Sequence, residues 1–401
     1  MDKWLGIVGI GEDGLDGLAP RARALVDGAE ILGGGDRHLA MVADDGRPRI
    51  RWRRPPESFV AEIQQHRGRP VCVLATGDPM CFGIGVTLAR HVPIAEMTII
   101  PAPSAFSLAC ARLGWPRAEV RTLTLHGRPS SVVNRVLHPG ARVLILSNDG
   151  ETPARIATLL RARGFGSSAI WVFEHMGGAR ERVIEATAET WDAGRVADFN
   201  TLAIDCVATA DADPRSPAPG LADDAYESDG QLTKREVRSA TLAALAPMPG
   251  QLLWDLGAGC GSIGIEWMRA APGARAIAIE VEPARAAMIE RNAESLGVPG
   301  LVVVTGEAPV ACDDLEAPDA VFIGGGGADP AVLDVGWARL APGGRLVANA
   351  VTVEGEAGLI AWRARHGGAL TRIAVSRAEP MGGFTGWRAL APVTQLAARK
   401  R

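Results

Sequence analysis

Two glycine-rich turns, each directly behind an apolar run, constrain this chain more than any other feature. They are GIGEDG at residues 9–14 and DLGAGCGSIGIE at residues 255–266. Such a turn lets the backbone reverse tightly, lets a ligand approach the main chain, and feeds a helix whose N-terminus faces that ligand. Each turn therefore predicts its own β-α-β unit, and almost 250 residues separate them.

The patterns around the turns agree. WLGIVGI, AEILGG, VCVLATG, MTIIPAP, RVLILSN, AIWVFE and TLAIDCV alternate with helical stretches such as RARALVDGA and PARIATLLRARG, up to residue 208. Strands alternating with helices define an α/β unit. A stretch rich in proline, alanine and aspartate follows, without helix or strand period, and reads as a linker over residues 209–227. A second series then begins with the helical REVRSATLAALA, the strand QLLWDLG and the helix GSIGIEWMRAA, and continues to the strand RLVANAV. A chain of 401 residues exceeds what one core usually serves, so the reading is two α/β domains, 1–208 and 228–401.

Composition narrows the function classes. Apolar residues make up 47% and the net charge is −4, which suits a globular protein and gives nucleic acid no basic surface to favour. Six cysteines (Cys72, Cys81, Cys110, Cys206, Cys260, Cys312) form no CxxC pair and have no histidine cluster, so neither a metal site nor a disulfide framework is predicted. No signal-like start or membrane-length apolar run is present, and the expectation is a cytoplasmic protein without a membrane partner.

In the second turn the apolar strand ends at Asp255. Gly257, Gly259 and Gly261, with Ala258 and Cys260 between them, then lead to a helix starting near Ser262, and Glu280 closes the next strand. An acid there can accept from both ribose hydroxyls, which fits either NAD or S-adenosylmethionine. Asp255 favours the second, because it would repel a pyrophosphate and attract the cationic methionyl end.

The first turn fits NAD poorly. Its loop continues through Asp16, Gly17 and Pro20, and Pro20 marks the first turn of a late-starting helix. The carboxylates of Glu12, Asp13 and Asp16 would surround any pyrophosphate.

Longer motifs carry a family resemblance. DLGAGCGSIGIE, IAIEVEP, TGEAP, PDAVFIGGGG and LAPGGRLVANAVTVE resemble the successive motifs of class I S-adenosylmethionine methyltransferases. With DDAYESDGQLTKREVR ahead of them, residues 220–394 resemble the decarboxylating precorrin methyltransferases of cobalamin synthesis. GIVGIGEDG, ILGGGDRHL, LATGDPMCFGIG, PAPSAFSLACARLGWP and VFEHMGGARERV resemble the tetrapyrrole methyltransferases over nearly all of residues 1–208. The implied fold is a two-lobed tetrapyrrole (class III) methyltransferase domain followed by a Rossmann-like class I methyltransferase domain.

The resemblance also implies site residues. Thr76, Gly77, Asp78, Cys81, Ser104 and Ala105 would contact S-adenosylmethionine in the first domain, with the loops after LILSND and near Met176 and Gly177 closing over it. Thr233, residues 257–261, Glu280 and Ala308 would line the donor site of the second. Three departures stand out: Gly11-Glu12-Asp13-Gly14 replaces Gly-Pro-Gly-Asp, while Glu280 and Glu307 stand where aspartate is commoner.

What this implies is a decarboxylating enzyme with one S-adenosylmethionine per domain. It would methylate precorrin-6B at C5 and at C15, remove the C12 acetate carboxyl and give precorrin-8. The alternative is a cobalt-precorrin version of these steps, and relatives imply self-association. Lys234, Arg238 and Arg388 are candidates for binding peripheral carboxylates. No residue is assigned to catalysis, because a reduced macrocycle supplies its own nucleophilic carbon and proximity does most of the work. The competing readings are an RNA or protein methyltransferase with a donor-sensing first domain, and an NAD oxidoreductase.

Other residues read as structural. His38, His126 and His175 are taken as packed or surface side chains, Trp115, Trp171 and Trp191 as core, and Arg51, Arg53 and Arg54 as a solvated edge.

Overall fold

A computed structural model describes residues 3–53, 55–324 and 329–401. Arg54 and Gly325–Gly327 of the FIGGGG motif lie outside the described residues. The chain forms two compact units, Met1–Ser130 with His138–Asp213, and Ser131–Leu137 with Pro214–Arg401.

The first unit opens with β1 (Leu5–Ile10), α1 (Pro20–Asp27), β2 (Ile31–Gly34), α2 (Asp36–Leu39), β3 (Arg49–Arg51), α3 (Pro56–Gln65), β4 (Val71–Thr76), α4 (Ile84–Ala89) and β5 (Met97–Ile100). These strands make a parallel sheet in the order β3-β2-β4-β1-β5. All six β1 residues are buried, as expected of a parallel strand covered on both faces. Pro20 occupies the first turn of α1, which accounts for the late helix start.

The same unit continues with α5 (Ala105–Leu113), β6 (Val120–Thr124), β7 (Arg142–Leu146), α6 (Thr152–Ala162), β8 (Ala169–Glu174), β9 (Arg182–Thr187) and β10 (Asn200–Asp205). They form a second, mixed sheet in the order β6-β7-β10-β8-β9, in which only β6 and β7 run parallel. The first unit thus has two α/β lobes.

The second unit runs α7 (Arg235–Leu245), β11 (Leu252–Leu256), α8 (Ser262–Ala270), β12 (Arg275–Glu280), α9 (Pro283–Ser295), β13 (Val302–Thr305), β14 (Ala320–Ile323), α10 (Pro330–Arg339), β15 (Arg345–Ala350), α11 (Val353–His366), β16 (Ala369–Ile373), β17 (Ser376–Met381), β18 (Phe384–Ala389) and β19 (Val393–Arg399). Seven strands order as β13-β12-β11-β14-β15-β19-β16, while β17 and β18 form a separate hairpin. Alternation along β11 sends Leu252, Trp254 and Leu256 into one core layer and Leu253 into the other, so both faces of the sheet are filled. Strands β11 to β15 run parallel, and the order in which the chain adds them reverses between β11 and β14. That switch point is where a crevice opens beyond the strand ends.

The proline-rich stretch is not the loose tether its composition predicts. Leu221 and Tyr226 are buried, and the Glu266 carboxylate of α8 accepts from Gly220 N, Leu221 N and the Tyr226 hydroxyl at 2.6, 3.1 and 2.9 Å. Arg238 completes the arrangement. Its Nε donates to Glu266 at 2.6 Å, its Nη1 to Thr233 O at 2.6 Å, and its Nη2 to Leu221 O. Leu221 and Tyr226 join the core of the second unit, and charged and backbone groups fix the rest of residues 220–226, which leaves no periodic signal in the sequence.

Candidate active sites

In the first unit, the register Ile10↔Thr76 brings the turns after β1 and β4 out side by side. A Cβ on Gly9 would stand 1.9 Å from Gly77 O and 2.5 Å from Ala102 N, two atoms that share a 3.1 Å hydrogen bond. Gly9 is therefore a close-approach glycine that lets three loops converge. Gly77, at φ +55°, needs the left-handed region, and a Cβ there would meet Pro103 O at 2.8 Å.

This convergence gathers all six residues singled out in the first domain. Asp78 Oδ1 accepts from Met80 N at 2.9 Å, and Cys81 N donates to Asp78 O at 3.0 Å. Ser104 caps α5, its Oγ accepting from Ser107 N at 3.1 Å, and Ala105 and Cys81 pack on the same buried cluster. Burial, helped by the Asp78 carboxylate, raises the Cys81 thiol, so it is a neutral wall group rather than a nucleophile. Phe82 beside it adopts φ +56° while half exposed, a strained conformation of the kind that clusters at ligand sites.

An unforeseen ionic cluster borders the same place. The Glu12 carboxylate receives Arg37 Nη1, pairs with His175 Nδ1 at 3.0 Å, and lies 3.7 Å from Arg180. Arg37 Nη2 also donates to Thr76 Oγ1 at 2.7 Å and to His38 Nε2 at 2.9 Å, with its guanidinium 4.2 Å over the Phe199 ring. Burial first, then the Arg37 charge, lowers His38 to about 4, so its ring is neutral at neutral pH. Glu12 and His175 stand 163 residues apart, which is why their pairing cannot be read from local spacing. Gly178 also packs against Glu12, so the loop near Met176 and Gly177 docks on the opening loop.

In the second unit, a cavity of about 850 Å³ opens at the strand ends around the switch point. Thr233, Lys234, Gly257, Ala258, Gly259, Cys260, Glu280 and Ala308 line it. Gly261 does not; at φ +80° its missing Cβ makes room for Ile289, where a side chain would come within 2.7 Å. Glu280 is buried, with Oε2 accepting from Gly259 N at 2.7 Å and Oε1 from Glu282 N at 3.1 Å. Each carboxylate oxygen keeps one free lone pair, enough for a vicinal diol. The glycine cradle, the acid and the cavity size fit a nucleoside-bearing cofactor such as S-adenosylmethionine.

Three expectations need correction. Asp255 does not line the cavity. It is 1% exposed, its Oδ2 accepts from Gly264 N at 2.9 Å, and burial raises its carboxyl to about 7, so it ties the strand to α8 instead of presenting a charge to a ligand. Arg238 is fully buried in the ion pair with Glu266 and cannot reach a substrate. Arg388 stands on the exposed β17–β18 hairpin, paired with Glu379 at 3.0 Å, and is not one of the residues that line the cavity. Of the three cations suggested for carboxylates, only Lys234 reaches the cavity. Asn349 and Arg285 also line it and were missed, although a polar residue at the carboxyl end of an apolar strand, as in RLVANAV, is the usual mark of a ligand site.

Both units are similar to known proteins. Residues 5–192 match the family of tetrapyrrole (corrin/porphyrin) methylases, and residues 224–400 match the precorrin methyltransferase domain. A Sinorhizobium relative called precorrin-6Y C(5,15)-methyltransferase [decarboxylating] is 52% identical over 98% of this chain and 96% of its own length. A Mycobacterium tuberculosis relative of the same description is 41% identical over 98% and 99%. A crystal structure of the C-terminal domain of precorrin-6Y C5,15-methyltransferase from Rhodobacter capsulatus is 48% identical, covers 46% of this chain and all of its own, and superposes with a TM-score of 0.44.

Proposed function

The chain belongs to the precorrin-6Y C5,15-methyltransferase family, and on that premise we propose that each unit holds its own donor site, the first serving C5 and the second C15 of precorrin-6B. It is an S-adenosylmethionine-dependent, decarboxylating methyltransferase of cobalamin biosynthesis. The second unit also removes the C12 acetate carboxyl, and precorrin-8 leaves.

The observation that carries the two-site reading is the pairing of two glycine-built loop clusters, one unit to each: the convergence at Gly9, Gly77 and Ser104 in the first, and the cavity lined by Gly257, Gly259 and Glu280 in the second. S-adenosylmethionine, when bound, supplies an electrophilic methyl group on a sulfonium sulfur. In the second unit Glu280 would hold the ribose hydroxyls through its free lone pairs, and Ala308 and the glycine turn would bound the rest of the nucleoside. Lys234 offers an ammonium to a peripheral carboxylate of the macrocycle. In the first unit Asp78, Ser104 and Ala105 would bound the donor. Both units act chiefly by orienting the reacting carbon and excluding water.

Self-association belongs to this reading as well. Phe384 and Trp387, each 80% exposed on the β17–β18 hairpin, offer an apolar face to a second copy. A cytoplasmic location suits the six free thiols. Among the described residues no helix is long and apolar enough to cross a membrane.

Mass spectrometry of precorrin-6B after incubation with the full chain and S-adenosylmethionine tests the reaction. Two methyl groups gained and one carbon dioxide lost is the expected product. An unchanged macrocycle would contradict the proposal, and turnover of the cobalt-containing substrate alone would reassign it.

A further inference from the structure

The cavity of the second unit has a donor side and an opposite side. Glu280 ends β12, whereas Asn349 lies near the end of β15, three strand positions away across β11 and β14. At about 4.8 Å per strand this separation is roughly 14 Å. Asn349 follows Ala348, the partner of Ile323, so it stands level with the mouth of the crevice.

The hydrogen bonds around Asn349 fix its carboxamide. Thr241 Oγ1 donates to Val237 O at 2.8 Å, so it can only accept from Asn349 Nδ2 at 2.9 Å and Gln395 Nε2 at 3.1 Å. Gln395 Nε2 spends its second hydrogen on Asn349 Oδ1 at 3.1 Å. The amide is thereby assigned, and one Nδ2 hydrogen remains without a partner in this network. All three side chains are buried, while Asn349 borders the cavity beside Ala350, Val351, Val375, Leu390 and Val393. The cations among the described lining residues lie elsewhere: Arg285 is paired with Asp229, and Lys234 precedes Thr241 by about two helical turns, roughly 10 Å.

We propose that Asn349 is the residue that grips the departing acetate carboxylate, through its one free N–H set in an apolar wall. The inference rests on the reading that the second unit decarboxylates its substrate. A carboxylate loses its charge as it becomes carbon dioxide, so a cation would stabilise the ground state more than the transition state and slow the step. A neutral amide orients the group with a much smaller penalty of that kind. In the step itself the bond between the acetate methylene and the carboxyl carbon breaks, carbon dioxide leaves, and the electron pair passes into the conjugated imine of the macrocycle. A proton from water then adds to the methylene carbon, leaving a methyl group.

The test compares Asn349→Leu and Asn349→Asp with the unaltered chain. Methyl groups gained and carboxyls lost are counted by mass spectrometry, and donor affinity is measured by calorimetry. Both variants are expected to bind S-adenosylmethionine as the unaltered chain does and to methylate. Their ratio of carbon dioxide released to methyl transferred should fall about tenfold or more, because the breaking bond is no longer held in line with the conjugated macrocycle. If Asn349 only locked β15 to β19 and α7, donor binding and methylation would fall together and the ratio would hold, and that result overturns the proposal. Asn349→Asp has nearly the shape of the native residue and carries the comparison if the leucine variant unfolds. Failure of the unaltered chain to convert precorrin-6B would instead sink the underlying function, a result distinguishable from failure of the variants alone.

Discussion

Arg238 Nε donates to Glu266 Oε1 at 2.6 Å inside the second unit, with both side chains withdrawn from solvent. The pair receives further bonds from residues 220–226, so removing one member strands the other and unpins that segment. Arg238→Ala should destabilise the second unit by about 3–5 kcal/mol, the cost of an unpaired buried charge. Urea unfolding checks this, and a loss below about 1 kcal/mol would return Arg238 to the rank of a surface cation.

Asp255 makes stability depend on pH. Burial raises its carboxyl from 3.8 to about 7. With the folded value above the unfolded one, its stabilising contribution is complete below about pH 4 and is lost as pH rises through about 7. Asp255→Asn keeps an acceptor for Gly264 N and removes the titration. The stability difference between the native chain and this variant should therefore shift against the native chain from pH 5 to pH 7.5. Thermal unfolding at both pH values measures it, and parallel curves would refute the assignment.

Glu12 works in the opposite direction. Burial alone would raise its carboxyl, but the His175 hydrogen bond and the Arg37 charge outweigh it and lower the value. Its contribution is thus present above the ordinary carboxylate range and lost as pH falls through the lowered folded value. Glu12→Gln weakens the hold on Arg37 and so on Thr76. It should reduce donor binding in the first unit and leave the second unit unaffected. Equal effects on both units, read by product mass, would show that the cluster does not serve the first site alone.

The sequence made the architecture legible because parallel strands and amphipathic helices write their periods plainly: Pro20, Ser262 and the strand end at Glu280 fall where the pattern predicts, and β15 stops one residue short of the Val351 it gives. The glycine turns were legible as turns, but the role of each glycine was not. Gly9 and Gly261 meet partners far along the chain, Gly77 and Ile289, and only the folded structure reveals which glycine faces a ligand and which faces protein. Asp255 and Arg238 misled for a related reason, since a charge in a motif does not declare whether its partner is a ligand or a buried neighbour. The Glu12–His175 and Asn349–Gln395 contacts link distant segments and left no local pattern.

Calorimetric titration of the full chain with S-adenosylmethionine tests most directly whether the two units hold independent donor sites. The account predicts two sites per chain, with Glu280→Gln abolishing one and C15 transfer, and Asp78→Asn abolishing the other and C5 transfer. A single site in the unaltered chain, or one substitution that removes both, would contradict it.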